Sequence, residues 1–403
     1  MKRNDLLKVL QAIYSQGQTS RAALAETLGF APSYISALVA ELRQAQLIEE
    51  GGRSPSRVGR RRVLLQVRSD LAHLLGIRIG RANTRIVVTD FSGGVLTLRT
   101  MPTEIGRGEQ HVFDLIEREI GSTLHADPLI RGIGVAISGV IDRHSGTVLF
   151  WPKVPGWTDV PLKRRIQAKY SLPVVVEDTA RTMALAEKRF GSAKGYREFV
   201  YVVVSMGIGA AIYIDDRLYL GADDLAGELG HTTIDERGDL CSCGNRGCLE
   251  VFASGWAIIN RVKSGLSQGV HSSLASLMAT RPDQMSIEAI VGAAKEGDQL
   301  AQTVLREAGL HLGTGIATVI NLLNPEAIVL GGEVPPAAKA FLIKPLFHSF
   351  RARTLNRSVR NLKVIVSRMG GESGAVGASI LVAEKLLPNL LDYPNGQRPN
   401  KLE

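Results

Sequence analysis

The three cysteines of this 403-residue chain all fall within eight residues, at Cys241, Cys243 and Cys248. No other feature constrains the fold as tightly. An odd, tightly clustered set of thiols argues for metal rather than for a disulfide framework. His231 stands ten residues ahead of the first cysteine. Three thiolates and one imidazole make a closed tetrahedral zinc site, which leaves no position for an activated water. Gly244 and Gly247 permit the turns that bring Cys243 and Cys248 to one ion. The expected cofactor is therefore a structural Zn2+ on His231, Cys241, Cys243 and Cys248. The choice of His231 rests on proximity alone, since the chain has eight histidines.

Charge is distributed unevenly. The net charge is +9, and the first 70 residues hold eleven Lys/Arg against six Asp/Glu. A basic excess concentrated in the first sixth of a chain is an electrostatic footprint for nucleic acid. Hydrophobic residues make up 45% and charged residues 22%, which excludes a disordered chain. No apolar run reaches the roughly 18 residues of a membrane span, and the N-terminus lacks a signal peptide's apolar core. The expectation is a cytoplasmic protein without membrane contact.

Residues 1–70 read as three helices and a hairpin. Leu6, Leu7, Val9, Leu10 and Ile13 stripe a first helix from Asn4 to Ser15. Ser20 caps a second, Arg21 to Leu28, which Gly29 closes. Pro32 opens a third, to about Gln46, with Ile35, Leu38, Val39 and Leu42 on its core face. The short turn between the last two gives a helix-turn-helix. Two strands around a basic tip, Leu47–Gly52 and Arg60–Val67, form a wing. In such a module the third helix reads bases. Ser33, Tyr34 and Ser36 are its polar residues near the N-terminus. Arg21 and the wing's Arg57, Arg60, Arg61 and Arg62 are the candidate phosphate contacts. The expected partner is double-stranded operator DNA, bound by a homodimer or a dimer of dimers because one such module binds weakly.

From residue 71 the pattern changes to a body reaching about residue 386, followed by a polar tail, 387–403. Strand-like runs occur at Leu74–Ile79, Arg85–Thr89 and Val95–Arg99, then a helix at Val112–Leu124 and a buried strand at Gly132–Ile137. A second meander follows at Phe199–Val204, Ala210–Ile214 and Arg217–Leu220, with later helices after Ser254, at Gln299–Asn321 and at Gly374–Leu386. Two similar α/β lobes with a cleft between them are expected.

Gly227-Glu228-Leu229-Gly230-His231 resembles the E-x-G-H sugar motif of the ROK family (repressors, open reading frames and kinases), and Cys241-Ser-Cys243-Gly-Asn-Arg-Gly-Cys248-Leu-Glu250 resembles its C-x-C-G-x-x-G-C-x-E zinc motif. The resemblance spans about residues 70–386. It implies an actin-like, two-lobed (ribonuclease H-like) sugar-kinase-type α/β body behind a winged helix-turn-helix. It also implies that Glu228 and Glu250 accept hydrogen bonds from sugar hydroxyls.

Three departures from the kinase pattern imply lost catalysis. Where kinases resemble D-x-G-G-T, this chain has Arg78-Ile79-Gly80-Arg81-Ala82. Where they resemble G-T-G, it has Ser205-Met206-Gly207. Where they carry E-N-D-A-N, it has Glu177-Asp178-Thr179-Ala180-Arg181, which puts Thr179 at the base position; a one-residue shift would put Asp178 there. Phosphoryl transfer needs positioning, charge neutralisation and a base together. Lys153 replaces an Asn of P-N-L-x-G-W, which points either to an acidic or phosphorylated ligand or to a degenerate pocket. The candidate ligand contacts are Glu228, Glu250, Lys153 and Asp178. The expected function is a repressor-type, DNA-binding transcriptional regulator of carbohydrate-related genes, with a non-catalytic kinase-like domain that senses a sugar or sugar derivative. The alternatives are an active kinase with an added DNA-binding domain, and a regulator whose body only dimerises.

Overall fold

The computed structural model describes residues 2–53, 62–151, 154, 156–355 and 357–392. They divide into two compact units. One contains the residues up to Arg189 and those from Glu372 onward; the other is Phe190–Gly371.

The first unit opens with helices α1 (Lys2–Gln16), α2 (Arg21–Leu28) and α3 (Pro32–Gln44). Ser20 Oγ accepts the Ala23 backbone N–H, and Gly29 takes the left-handed conformation at φ 68°, so α2 starts and stops where its sequence demands. The axis bends by 116° between α2 and α3, within the range of helix-turn-helix modules. The apolar stripes of α1 and α3 bury Val9, Leu10, Ile13, Ile35, Leu38, Val39 and Leu42 as one small core. Strands β1 (Ile48–Arg53) and β2 (Val63–Val67) pair antiparallel, and Thr19 bridges to Leu65 on the far side of β2.

Next come β3 (His73–Ile79), β4 (Asn83–Thr89) and β5 (Val95–Pro102), an antiparallel meander as the Gly93-Gly94 turn requires. Helix α4 (Glu109–Ala126) crosses over to β6 (Ile130–Ile137), parallel to β3. A small sheet of β7 (Val140–Asp142), β8 (Thr147–Phe150) and β9 (Thr158–Val160) precedes α5 (Leu162–Tyr170). Strand β10 (Val174–Asp178) then pairs with β6 and runs into α6 (Thr179–Phe190). The sheet order is β5-β4-β3-β6-β10. The C-terminal helix, Ser373–Leu390, packs across this sheet. It extends four residues beyond the end expected from sequence, so the stretch from residue 387 begins inside regular structure.

The second unit repeats the topology. Strands β11 (Phe199–Val204), β12 (Ile208–Ile214) and β13 (Arg217–Tyr219) form a meander. A long excursion follows through α7 (Leu249–Ala253), α8 (Gly255–Ser267), α9 (Ala275–Thr280), α10 (Ile287–Lys295) and α11 (Gln299–Leu323). It returns to β14 (Ala327–Gly331), parallel to β11, then passes α12 (Val334–Ala337) and α13 (Lys339–Arg351) to β15 (Lys363–Val366). The order β13-β12-β11-β14-β15 is again third, second, first, fourth, fifth. This duplicated sheet is the actin-like fold. The second unit has one continuous core, in which Val200, Val202, Ile316, Ile320, Ile328, Leu330, Leu342 and Leu346 are buried together. No single helix among the described residues is long and apolar enough to cross a membrane.

Candidate functional site

The chain bears three candidate features: a metal centre, a set of acids near it and at the end of β10, and the exposed face of α3.

The metal centre is built by one short loop. After β13 the chain makes a single tight turn, Leu229–His231, that ends on His231. Bridges between Thr233 and Cys248 and between Leu240 and Arg246 then fold the cysteine segment back on itself. Cys241 N–H donates to the Asn245 carbonyl at 2.7 Å, and Gly247 N–H to the Asp239 carbonyl at 2.9 Å. Gly247 has φ 65° and lies directly against the Asp235 carbonyl, where no side chain would fit. The ligand atoms of His231, Cys241, Cys243 and Cys248 all lie within 4.8 Å of one another. Cys241 Sγ is 3.6 Å from His231 Nδ1, and Cys243 Sγ is 3.6 Å from Cys248 Sγ. A tetrahedron with metal–sulfur bonds near 2.3 Å and metal–nitrogen bonds near 2.0 Å has edges of about 3.5–3.8 Å. The quartet therefore fits a tetrahedral ion, and His231 presents Nδ1 to it.

The thiols differ without an ion. Burial, reinforced by the neighbouring Cys243 and Cys241 thiols, pushes Cys248 up to about 12. Burial also opposes ionisation of Cys243, but the Asn245 backbone N–H and the other two thiols outweigh it and hold Cys243 below its usual value. A bound cation would add positive charge beside these thiols and favour their thiolate forms.

Glu250 lies two residues past Cys248, in the first turn of α7, and is buried. Its Oε2 accepts the Ile208 backbone N–H at 3.1 Å. A Cβ at Gly207 would sit 2.7 Å from that oxygen. In this chain Gly207 thus makes room for Glu250 and lets the carboxylate hold the β11–β12 turn. Glu228 is exposed at the start of the His231 turn, where its carbonyl accepts the His231 N–H at 3.0 Å. The segment from Glu228 to Glu250 therefore carries both acids and all four residues that could hold a metal ion.

In the first unit, Asp178 ends β10 and caps α6. Its Oδ1 accepts the backbone N–H groups of Ala180 at 2.7 Å and Arg181 at 3.3 Å. Glu177 is buried and bridges two guanidiniums, Arg143 and Arg181, while also accepting the Asp178 N–H at 2.8 Å. Thr179 is buried and its Oγ1 accepts from Ser138 Oγ at 3.2 Å. Arg78 is buried on β3, with its guanidinium folded beside Gly80. Sequence reasoning missed the Arg143–Glu177–Arg181 cluster, because Arg143 lies 34 residues from its partner. Lys153 lies outside the described residues.

On α3, Ser33 and Ser36 are exposed, and Ala37 and Ala40 share their face. These small residues complement the buried Ile35-Leu38-Val39-Leu42 stripe and were readable from it. Tyr34 is exposed as well. Its hydroxyl donates to Asp5 Oδ2 on α1 at 3.0 Å, and its ring meets Phe30 edge-on at 5.6 Å. Arg21 is half-buried at the start of α2, and Arg62 is exposed at the foot of β2. Arg57, Arg60 and Arg61 lie outside the described residues.

The chain is similar over nearly its whole length to known proteins. It is 34% identical to the xylose repressor of Caldicellulosiruptor bescii over 391 residues, 96% of this chain and 97% of the relative. It is 31% identical to the DNA-binding transcriptional dual regulator NagC of Escherichia coli, over 97% of this chain and 95% of the relative. Among solved structures, a ROK family transcriptional regulator homologous to the E. coli MLC protein matches with a TM-score of 0.76, at 31% identity and covering 97% of this chain and 98% of the other. A ROK family glucokinase from Streptomyces griseus, in complex with glucose and AMPPNP, matches with a TM-score of 0.68 at 28% identity. The glucokinase is covered to 98% but covers only 77% of this chain. The ROK family model itself matches residues 74–385. By that match, and by its full-length relatives, the chain belongs to the ROK family.

Proposed function

We propose that this chain is a DNA-binding transcriptional regulator, of the repressor type, whose kinase-like body senses a sugar or sugar derivative without phosphorylating it. The observation that carries the reading is α3 itself: it follows α2 at 116° and turns a row of small, exposed residues, Ser33, Ser36, Ala37 and Ala40, to solvent. Such a row suits close approach to base edges in a major groove. Relatives matched end to end include proteins named as xylose and N-acetylglucosamine repressors.

In this reading residues 1–70 form the winged helix, and 71–386 the sensor and dimerisation body. Arg21, Arg57, Arg60, Arg61 and Arg62 neutralise phosphates. Glu228, Glu250, Asp178 and Lys153 contact the effector. Zinc on His231, Cys241, Cys243 and Cys248 is structural, and fixes the loop that bears Glu228 and Glu250. The absence of phosphoryl transfer is supported by what occupies the kinase positions. Thr179 has no carboxylate to take a proton, Arg78 brings a cation where kinases have an acid, and Ser205-Met206 stand where the kinase loop has Gly-Thr. The test is selection of genomic fragments by the full-length chain. The reading expects recovery of sites with two-fold symmetry; recovery of random DNA with no common sequence would overturn it.

A further inference from the structure

Helix α6 joins two places that the proposed function keeps separate. Its N-terminus is capped by Asp178, a candidate effector contact, through the Ala180 and Arg181 N–H groups. Its last turn carries Arg189, whose guanidinium lies 4.3 Å from the centre of the Tyr14 ring. Tyr14 belongs to α1, in the three-helix module, and is fully buried. The same ring meets Phe91 edge-to-face at 5.7 Å. A helix of this length spans about 18 Å.

The path continues on both sides. Gly377 of the C-terminal helix lies against the Thr182 carbonyl of α6, so closely that no Cβ would fit. The two helices are thus backed onto each other near the Asp178 end. At the far end the C-terminal helix places Glu384 within electrostatic reach of Arg189 and Tyr14. Beyond its last turn, Asp392 takes both carboxylate oxygens to Arg3 of α1, at 2.7 and 2.8 Å. From α1, Asp5 accepts the Tyr34 hydroxyl of α3. Contacts therefore run without a gap from Asp178 through α6, Arg189, Tyr14 and α1 to α3.

We infer that α6 is the mechanical link between effector and operator, and that Arg189 on Tyr14 is its coupling joint. An effector that engages Asp178 competes with the α6 cap. The helix then shifts, and Arg189 moves α1 together with α3. Tyr34 is a positioning residue in this scheme, fixing α3 to α1. The link to DNA rests on the regulator reading above; the link between Asp178 and α1 does not. A shift of a rigid helix between two packed arrangements is a known means of such transmission. Coupling between two sites is reciprocal, so DNA bound at α3 must be felt at Asp178.

The experiment is backbone hydrogen exchange on the full-length chain, in two arms. In the first, a DNA fragment chosen by the selection above is added. Exchange at the Ala180 and Arg181 amides changes by a factor on the order of 5–150, and Arg189→Leu abolishes the change while retaining the DNA. An unchanged rate in the parent chain, or an equal response in Arg189→Leu, overturns the inference. The second arm uses no DNA. Asp178→Ala speeds exchange at the end of α1, Ile13–Gln16, and adding Arg189→Leu removes that effect. No effect of Asp178→Ala on α1 overturns the link, whatever the chain does with DNA. Failure to retain DNA with a positive second arm instead sinks the regulator reading and leaves the link standing. If Arg189→Leu does not fold, Arg189→Lys keeps the charge but not the planar stack, and a response equal to the parent's would overturn the joint's role.

Discussion

Arg189 holds its guanidinium 4.3 Å from the centre of the Tyr14 ring, although 175 residues separate them. Both are buried enough that desolvation governs their chemistry. Burial raises the Tyr14 hydroxyl above its usual value and lowers Arg189. Glu384, from the C-terminal helix, is pushed by burial up to about 7 despite the nearby Arg189. Asp90 adds a second negative group facing Tyr14.

The sign of the resulting pH dependence follows from that carboxyl. Between its ordinary value of 4.5 and about 7, the folded protein holds more protons at Glu384 than the unfolded chain. Its contribution to stability is present at low pH and lost as pH rises to about 7. Glu384→Gln, which stays neutral, is expected to unfold at higher urea than the parent at pH 8 and to match it near pH 4.5. Parallel stability curves for the two proteins would show that Glu384 does not titrate in this way.

The metal centre gives a second prediction. Cys243→Ser replaces a thiolate by a hydroxyl, a poor zinc ligand. Zinc measured by elemental analysis should fall well below one per chain, and Tm should fall by at least about 5 °C. Full zinc content in Cys243→Ser, His231→Ala and Cys248→Ser alike would mean that the ion is held elsewhere.

Asp298 offers a test free of both sites. It caps α11 by accepting the Ala301 N–H at 3.0 Å, and also takes Ser272 Oγ at 2.7 Å and Ser273 N–H at 2.6 Å. Burial works against the charge, but these donors outweigh it and hold the carboxyl down to about 2. Its stabilisation is present above the ordinary value of 3.8 and lost as pH falls toward 2. Asp298→Ala should cost about 1–2 kcal/mol at neutral pH, by chemical denaturation, and progressively less in acid. An equal cost at pH 7 and pH 2.5 would refute the assignment.

On DNA, the two kinds of contact separate. Arg62→Ala should weaken binding to all sequences alike and reduce the slope of log affinity against log salt by about 0.9. Ser36→Ala should leave that slope intact and relax preference at one base pair, by about 1–3 kcal/mol if it reads the base bidentately with a neighbour. Equal effects of both variants on cognate and random DNA would remove α3 from the role of reader.

Local signals carried most of what was legible in the sequence. The bounds of α2 and β11, the Ser20 cap and the cysteine-histidine quartet were all readable, because each depends on residues close in the chain. Strand β14 was not, since Ala327–Gly331 is a short, wholly buried run whose periodicity does not tell strand from helix. Helix α13 carries Pro345 inside it, which reads as a break. The hydrogen bond of Glu250 to Ile208 spans 42 residues, so the space at Gly207 that the carboxylate fills was not readable from local sequence. The bond of the Tyr34 hydroxyl to Asp5 joins two helices 29 residues apart in the chain, and no local pattern signals it.

The central claim is that this ROK family chain reads DNA through α3 and senses a sugar through a body that does no phosphoryl transfer. The most direct measurement is a footprint of the full-length chain on a selected operator, titrated with xylose, N-acetylglucosamine, glucose and their phosphates, with ATP turnover followed in the same samples. The expected result is a protected symmetric site, loosened at least about tenfold by one of these compounds, with no phosphate transferred. Protection that no sugar alters, or ATP-dependent phosphorylation of any of them, would contradict it.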